Sequence, residues 1–133
     1  RVLNGLAHPD VTFIPLQLVH GGEQLTDETA LNIADLGEQL DRDSGPFMDT
    51  AAIMSQLDLV IGSDTAVIHL AGALHVPTWV ALSVSPDWRW MLNRDDSPWY
   101  PSMKLFRQSQ RGDWSDVIQS MYDLLKTIQP RKC

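Results

Sequence analysis

Apolar and polar positions along the chain alternate between short strand-like runs and helix-like stretches. The predicted strands are short apolar runs bounded by turn residues, at residues 11–19, 33–36, 57–61, 77–82 and 103–107. The predicted helices have helical periodicity or a capping residue, at residues 26–32, 49–56, 65–74 and 114–128. Residues 33–36 also fit a helix, but we favour the strand. Strands that alternate with helices indicate a parallel sheet covered by helices, which is an α/β fold.

Two aspartates are predicted to cap helices. Asp49 stands at the start of the helix that ends near Gln56, and Asp113 directly precedes the helix that begins at Trp114. Aspartate is a preferred N-cap because its side chain accepts a hydrogen bond from the first free backbone N–H groups. The closing helix has one apolar face at helical spacing, made of Val117, Met121, Leu124, Leu125 and Ile128.

Composition indicates a single soluble domain over residues 1–133. Apolar residues make up 44% of the chain and charged residues 20%, and no apolar run is long enough to span a bilayer. The single cysteine, Cys133, cannot form an internal disulfide, so we expect a reducing, cytoplasmic location. No histidine or cysteine spacing suggests a metal site. A net charge of −7 argues against nucleic-acid binding.

Polar residues follow the predicted strand 57–61 directly, in the run Gly62-Ser63-Asp64-Thr65. Ligands of open α/β sheets bind beyond the carboxyl ends of the strands, and the next helix begins there with free N–H groups. Gly62 and Ser63 would keep this turn small, Asp64 would accept hydrogen bonds from sugar hydroxyls, and Thr65 would donate one. His69 shares a helix face with Thr65. The alternatives are an ordinary helix cap and a core histidine.

A long loop at residues 83–101, here called the aromatic loop, carries a second set of candidates. Trp88, Trp90 and Trp99 lie close together and are interleaved with arginines. Arg89 could reach a phosphate while an aromatic ring stacks on a base or a sugar. Equally, the tryptophans could simply anchor a long loop. Asp87 and Trp88 are the preferred ligand contacts because they follow the end of strand 77–82 most closely.

Two stretches of the chain resemble known glycosyltransferases. "DLVIGSDTAVIHLAGALHVPTWVAL" resembles the donor-site motif of family 9, the heptosyltransferase-like enzymes. "PDWRWMLNRDDSPWYPSMKLFRQ" and "FMDTAAIMSQLDLVIGSDTAVIHLAGAL" resemble the glycosyltransferase-like domain at the C-terminal end of bacterial tetratricopeptide-repeat proteins. The resemblance covers residues 11–128 and is strongest over residues 47–108.

The resemblance implies a Rossmann-like parallel sheet with helices on both faces, the C-terminal half of a GT-B fold without its first strand. It implies that Asp64 and Thr65, with Ser63 beside them, face the sugar and diphosphate of a nucleotide-sugar donor. His69 would support that loop, and Glu23 would contact the ribose. No catalytic residue is assigned, because the resemblance places the base in an N-terminal half that this chain lacks.

We therefore expect the donor-binding half of a metal-independent, inverting glycosyltransferase, inactive alone and without a cofactor. Its ligand would be a nucleotide-diphosphate sugar, and its acceptor a saccharide or a protein. The alternative is a non-catalytic module that keeps the fold and binds a protein or a second copy of itself through exposed aromatic residues. Loss of nucleotide binding would separate the second interpretation from the first.

Overall fold

The computed structural model of the chain describes residues 2–16, 30–36 and 40–128. Within these residues, strands and helices alternate from residue 48 onward. The strands are β1 (Val60–Ser63), β2 (Thr78–Leu82) and β3 (Met103–Arg107), and the α-helices are α1 (Met48–Met54), α2 (Ala66–Ala73) and α3 (Ser115–Leu125). Short 3-10 helices lie at Val2–Leu6 and Trp88–Trp90. No helix in the described parts of the chain is long and apolar enough to cross a bilayer.

The three strands form one parallel sheet in the order β1-β2-β3. Val60 lies opposite Thr78, and Thr78 lies opposite Met103, so the strands begin at the same level. Parallel neighbours need a crossover connection, which α2 provides between β1 and β2. The predicted α/β fold with a parallel sheet is confirmed.

Side chains of the central strand alternate between the two faces of the sheet. Val80 and Leu82 enter a first core cluster together with residues of α1 and α2, whereas Trp79 enters a second cluster with α3 and the N-terminal 3-10 helix. Helices therefore cover both faces, as predicted. The buried helical residues are Met54, Ile68, Ala71 and Trp90 in the first cluster, and Leu6, Val117, Met121 and Leu125 in the second.

The first strand lies further along the chain than the sequence predicts. β1 occupies Val60–Ser63 instead of residues 57–61, because Gly62 and Ser63 pair with β2 and are not part of a turn. A Cβ atom on Gly62 would lie 2.8 Å from Cδ1 of Ile68. The glycine is thus explained by the close approach of α2 to the strand, and Asp64 is the first residue beyond the sheet.

The helix caps also differ from the prediction. The N-cap of α1 is Phe47, in a left-handed conformation with φ of 64° and without a side-chain cap. Asp41 caps this helix from the preceding loop, because its Oδ1 accepts from the N–H groups of Asp49 at 2.7 Å and Thr50 at 3.1 Å. Its Oδ2 accepts from the Thr50 hydroxyl at 2.6 Å, and Asp49 Oδ2 accepts from the Asp41 N–H at 2.9 Å. Asp49 therefore completes a reciprocal pair.

The start of α3 shows the same kind of shift. Its N-cap is Trp114, which forms no side-chain cap, and Asp113 lies one residue earlier and accepts from the N–H of Ser115 at 2.9 Å. The predicted cap at Asp113 is therefore wrong by one position, although its carboxylate still serves the first turn. The predicted apolar face is confirmed by the burial of Val117, Met121 and Leu125.

The N-terminal third departs most from the prediction. Residues 11–16 and 33–36 form no continuous strands, and only Phe13 and Ile33 are joined, by a parallel bridge. Phe13 N–H donates to Asn32 O at 2.8 Å, and Ala34 N–H donates to Phe13 O at 2.9 Å. Residues 30–32 are not helical. The remainder of the predicted strand 11–19 and helix 26–32, like the turn at 20–23, lies outside the described residues.

The outer edge of β3 is covered by the end of the aromatic loop. Asp96 forms an antiparallel bridge with Lys104, and the Leu105 N–H donates to the Asp95 carbonyl at 2.7 Å. Two surface ion pairs support this contact, between Lys104 and Asp95 at 3.1 Å and between Arg94 and Asp96 at 2.7 Å. The backbone groups of this edge are thus partly satisfied within the chain.

Asp41 gives the fold a defined response to acid. The Thr50 hydroxyl lowers the pKa of Asp41 below its ordinary value of 3.8; partial burial opposes this, and the N–H groups of Thr50 and Asp49 add to it. Since the folded-state pKa lies below the unfolded one, this contribution to stability is present above about pH 4 and is lost as the pH falls through the folded-state pKa.

We expect Asp41→Asn to be less stable than the wild type at pH 7, with a difference that shrinks towards pH 3. Urea denaturation at both pH values measures this difference. Asp43→Asn, in the same loop and exposed, is the control and should leave the stability unchanged. An equal difference between wild type and Asp41→Asn at both pH values would contradict the assigned role.

Candidate functional site

A pocket of about 340 Å³ lies at the carboxyl ends of β1 and β2. We call it the strand-end pocket. Its position follows from the parallel sheet, because both strands end at the same edge and the residues after them share that edge. The polar and aromatic side chains that line it are Ser63, Asp64, Ser83, Ser85, Asp87 and Trp114.

Asp64 is in contact with His69, which is not among the residues that line the pocket. Nε2 of His69 lies 3.4 Å from Oδ1 of Asp64, and Nδ1 of His69 lies 3.2 Å from the hydroxyl of Tyr100. The imidazole also stacks on Trp90, with ring centroids 5.4 Å apart and planes 24° from parallel. His69 is on the second turn of α2, whose first turn begins just after Asp64. His69 thus contacts the first residue beyond β1 directly.

The aromatic loop is fixed to the domain mainly through Trp90. This side chain is 1% exposed and belongs to the first core cluster. The guanidinium of Arg107 donates to the Trp90 carbonyl at 2.6 Å and to the Arg94 carbonyl at 3.2 Å. Burial lowers the pKa of Arg107 below its usual value. The anchoring interpretation of the tryptophans therefore holds for Trp90.

The three consecutive candidates of this loop have different environments. Asp87 lines the strand-end pocket and caps the 3-10 helix, because its Oδ1 accepts from the Arg89 N–H at 3.0 Å. Nε of Arg89 lies 3.3 Å from the same oxygen. Trp88 is 73% exposed and is not part of the pocket lining. The geometry thus favours Asp87 as a ligand contact over Trp88.

The structure brings Ser63, Asp64 and Asp87 to one pocket, and His69 contacts Asp64 from outside the pocket lining. Thr65 is the N-cap of α2, with extended backbone and no side-chain cap hydrogen bond. The remaining predicted contact, Glu23, lies outside the described residues. The roles of these residues in ligand binding stay predictions.

Sequence reasoning missed several pocket residues. Ser83 and Ser85 follow β2 directly, and the rule that identified Asp64 could have found them. Trp114 gave no local signal, because it precedes the apolar face of α3 and reaches the pocket only after that helix packs on the sheet. Tyr100 contacts His69 although the two residues lie 31 positions apart in the chain, so no local pattern predicts this contact.

Comparison with known proteins finds a distant similarity. Over 115 residues the chain is 34% identical to protein FlbA of Caulobacter vibrioides, a match that covers 83% of this chain and 18% of FlbA. The chain thus spans less than a fifth of the length of this relative, whose name states no activity. No protein-family model matches the chain, and no solved structure matches it significantly.

Proposed function

We propose that the strand-end pocket binds the sugar part of a nucleotide-diphosphate sugar, and that this chain is the donor-binding half of an inverting glycosyltransferase. The supporting observation is the chemistry of the lining: two carboxylates, three hydroxyls and an indole face one pocket at the strand ends. Its volume lies at the lower end of the range for small-ligand sites, about 300–1,000 Å³.

The lining suits a ligand with many hydroxyl groups. Ionised carboxylates only accept hydrogen bonds, and Oδ1 of Asp64 and Oδ1 of Asp87 already face His69 and Arg89, so the second oxygen of each carboxylate can accept from a ligand hydroxyl.

Serine hydroxyls both donate and accept. The Ser83 hydroxyl already donates to the Ser85 carbonyl at 3.1 Å and can accept from a ligand, whereas those of Ser63 and Ser85 can do either. The indole of Trp114 supplies a flat apolar surface for one face of a ring. A sugar offers these features together.

The diphosphate is expected next to the pocket and not inside it, because two carboxylates repel phosphate. The nearest favourable position is the start of α2, where Thr65 leaves the first turn without a side-chain cap. Free N–H groups and the positive end of the helix dipole favour an anion there. The same groups would stabilise the leaving diphosphate during direct displacement at the anomeric carbon, without a metal ion.

This function needs a second half that closes the cleft and supplies the acceptor site, as the glycosyltransferase resemblance implies. We therefore expect donor binding but no sugar transfer by this chain alone. The proposal keeps the cytoplasmic location expected from the single cysteine. The acceptor, a saccharide or a protein, is set by the part of the enzyme that this chain does not contain.

Isothermal titration calorimetry with a panel of nucleotide-diphosphate sugars and the matching nucleotide diphosphates tests the proposal. We expect Asp64→Asn to weaken binding of the best sugar donor about 10- to 100-fold, the effect of losing a hydrogen bond to a charged group. Trp114→Leu keeps apolar bulk but removes the flat ring, and should weaken the sugar donor more than the nucleotide diphosphate.

Matched controls make this experiment decisive. Asp43→Asn and Trp88→Leu change the same residue types outside the pocket lining and should leave the affinity unchanged. Thermal melting of each variant shows that it is folded. Wild-type protein that binds no donor, or an affinity that Trp88→Leu lowers and Trp114→Leu does not, would contradict the proposed site.

A second candidate function, a non-catalytic interaction module, is favoured by the surface of the aromatic loop. Several large apolar side chains there are exposed, namely Val84, Trp88, Met91, Leu92 and Trp99. Absence of donor binding, together with self-association in sedimentation velocity that Trp88→Leu reduces, would support this function in place of the first.

A further inference from the structure

We propose that Tyr100 is a positioning residue for the strand-end pocket, because its hydroxyl selects the form of His69 that holds Asp64 in place. This role rests on the proposed function only for the identity of the ligand. The chain of contacts is Asp64 Oδ1 to His69 Nε2 at 3.4 Å, and His69 Nδ1 to the Tyr100 hydroxyl at 3.2 Å.

The contacts of the imidazole favour one arrangement when the ring is neutral. The carboxylate of Asp64 can only accept and lies 3.4 Å from Nε2 of His69, so it favours the ring proton on that nitrogen. Nδ1 is then an acceptor, and the Tyr100 hydroxyl must donate to it. Removing that hydroxyl removes the group that favours the Nε2–H form from the other side of the ring.

Tyr100 reaches His69 because α2 has a glycine at the point where the two meet. A Cβ atom on Gly72 would lie 2.6 Å from Cγ and Cδ1 of the Tyr100 ring. The backbone is fixed as well: the Tyr100 N–H donates to Ser97 Oγ at 3.3 Å, and the Tyr100 carbonyl accepts from the Met103 N–H at 3.0 Å. Ser97 is itself buried. The aromatic loop and β3 thus hold the Tyr100 backbone through hydrogen bonds, and α2 leaves room for its ring.

Trp90 also restricts the orientation of the imidazole, because the two rings stack. The two ring nitrogens of His69 lie beside polar groups of Asp64 and Tyr100. Trp90 therefore orients the plane of His69, and Tyr100 favours its Nε2–H form. With Oδ1 of Asp64 facing His69, Oδ2 has no partner among the described residues and remains for a ligand.

Nuclear magnetic resonance of the free protein tests this role without any ligand. The Nδ1 and Nε2 resonances of His69, assigned with His69→Gln, should show the Nε2–H form in the wild type. Tyr100→Phe should shift the ratio of the two forms about two- to tenfold, the range for losing one hydrogen bond. It should also move the carboxyl carbon resonance of Asp64.

Tyr122→Phe is the matched control, since this other tyrosine lies on α3 and packs in the second core cluster. It should leave the His69 and Asp64 resonances unchanged. A proton on Nδ1 of wild-type His69, or the same resonances in wild type and Tyr100→Phe, would overturn the role of Tyr100.

Titration with the best donor adds an independent readout. Tyr100→Phe should lower the affinity by the same two- to tenfold, whereas Tyr122→Phe should not. A change in the His69 form with an unchanged affinity would also overturn the positioning role. If the wild type binds no donor, the proposed function fails, and the resonances of His69 and Asp64 still decide whether Tyr100 positions them.

Discussion

Replacing Trp90 with alanine is expected to lower the free energy of unfolding by about 3–5 kcal/mol, the usual cost of removing a buried aromatic side chain. Trp90 is 1% exposed, packs in the first core cluster and stacks on His69. Its loss leaves a cavity between the aromatic loop and the sheet. Chemical denaturation of the purified variant measures the effect.

Trp88→Ala is the matched control, because the two indoles are two residues apart in one 3-10 helix. Trp88 is 73% exposed, so its replacement should change stability by less than about 0.5 kcal/mol. Trp90→Phe keeps most of the ring and removes an Nε1 group that has no partner among the described residues. It should be much closer to wild type than Trp90→Ala. Similar stabilities of Trp90→Ala and Trp88→Ala would contradict the anchoring role.

Gly72→Ala is expected to destabilise the protein by about 1–3 kcal/mol, although alanine is the better helix former by about 1 kcal/mol. The new Cβ atom would lie 2.6 Å from ring carbons of Tyr100 and from Cε of Met103. Met103 Cε can move, because it ends a flexible side chain. The Tyr100 carbons belong to a rigid ring, so the whole ring must leave its position beside His69.

A double-mutant cycle separates this clash from a general effect on α2. In a Tyr100→Ala background the space beside residue 72 is open, and Gly72→Ala should there be neutral or stabilising. Destabilisation by the same amount in both backgrounds, measured by denaturation, would show that Tyr100 is not the cause.

The sequence predicted the C-terminal two thirds of the fold well, because its signals there are local. β3 was predicted with the bounds that the structure has, and the face of α3 follows from simple helical spacing. The errors are at ends of elements. β1 is displaced because pairing with β2 continues through Gly62 and Ser63, and no propensity rule foresees a ladder that depends on a partner strand.

The helix cap from Asp41 shows another limit of sequence reasoning. The carboxylate of Asp41 accepts three hydrogen bonds from Asp49 and Thr50, although no cap rule points to this position. The expected cap was Asp49, because cap rules consider only the residue that directly precedes a helix. A cap that comes from eight residues upstream depends on how the loop folds back, which the sequence does not display.

For the candidate site, the sequence identified the residues that follow strands and missed those that arrive through packing. Asp64 and Asp87 share the strand-end pocket because both follow parallel strands. Trp114 and Tyr100 lie at the start of a helix and at the end of a long loop, and their positions depend on tertiary contacts. Trp88 was predicted to contact the ligand because it follows the end of strand 77–82 closely along the chain. In the structure its ring is exposed to solvent.

The loop segment laid along β3 also bears on how this protein resists aggregation. Another molecule that added a strand at this side would first have to break the hydrogen bond between Leu105 and Asp95. It would then have to displace or bury the charged side chains of Lys104 and Asp96, which an intermolecular β-sheet does not easily accommodate. This flank is therefore protected against amyloid-like growth by residues of its own chain.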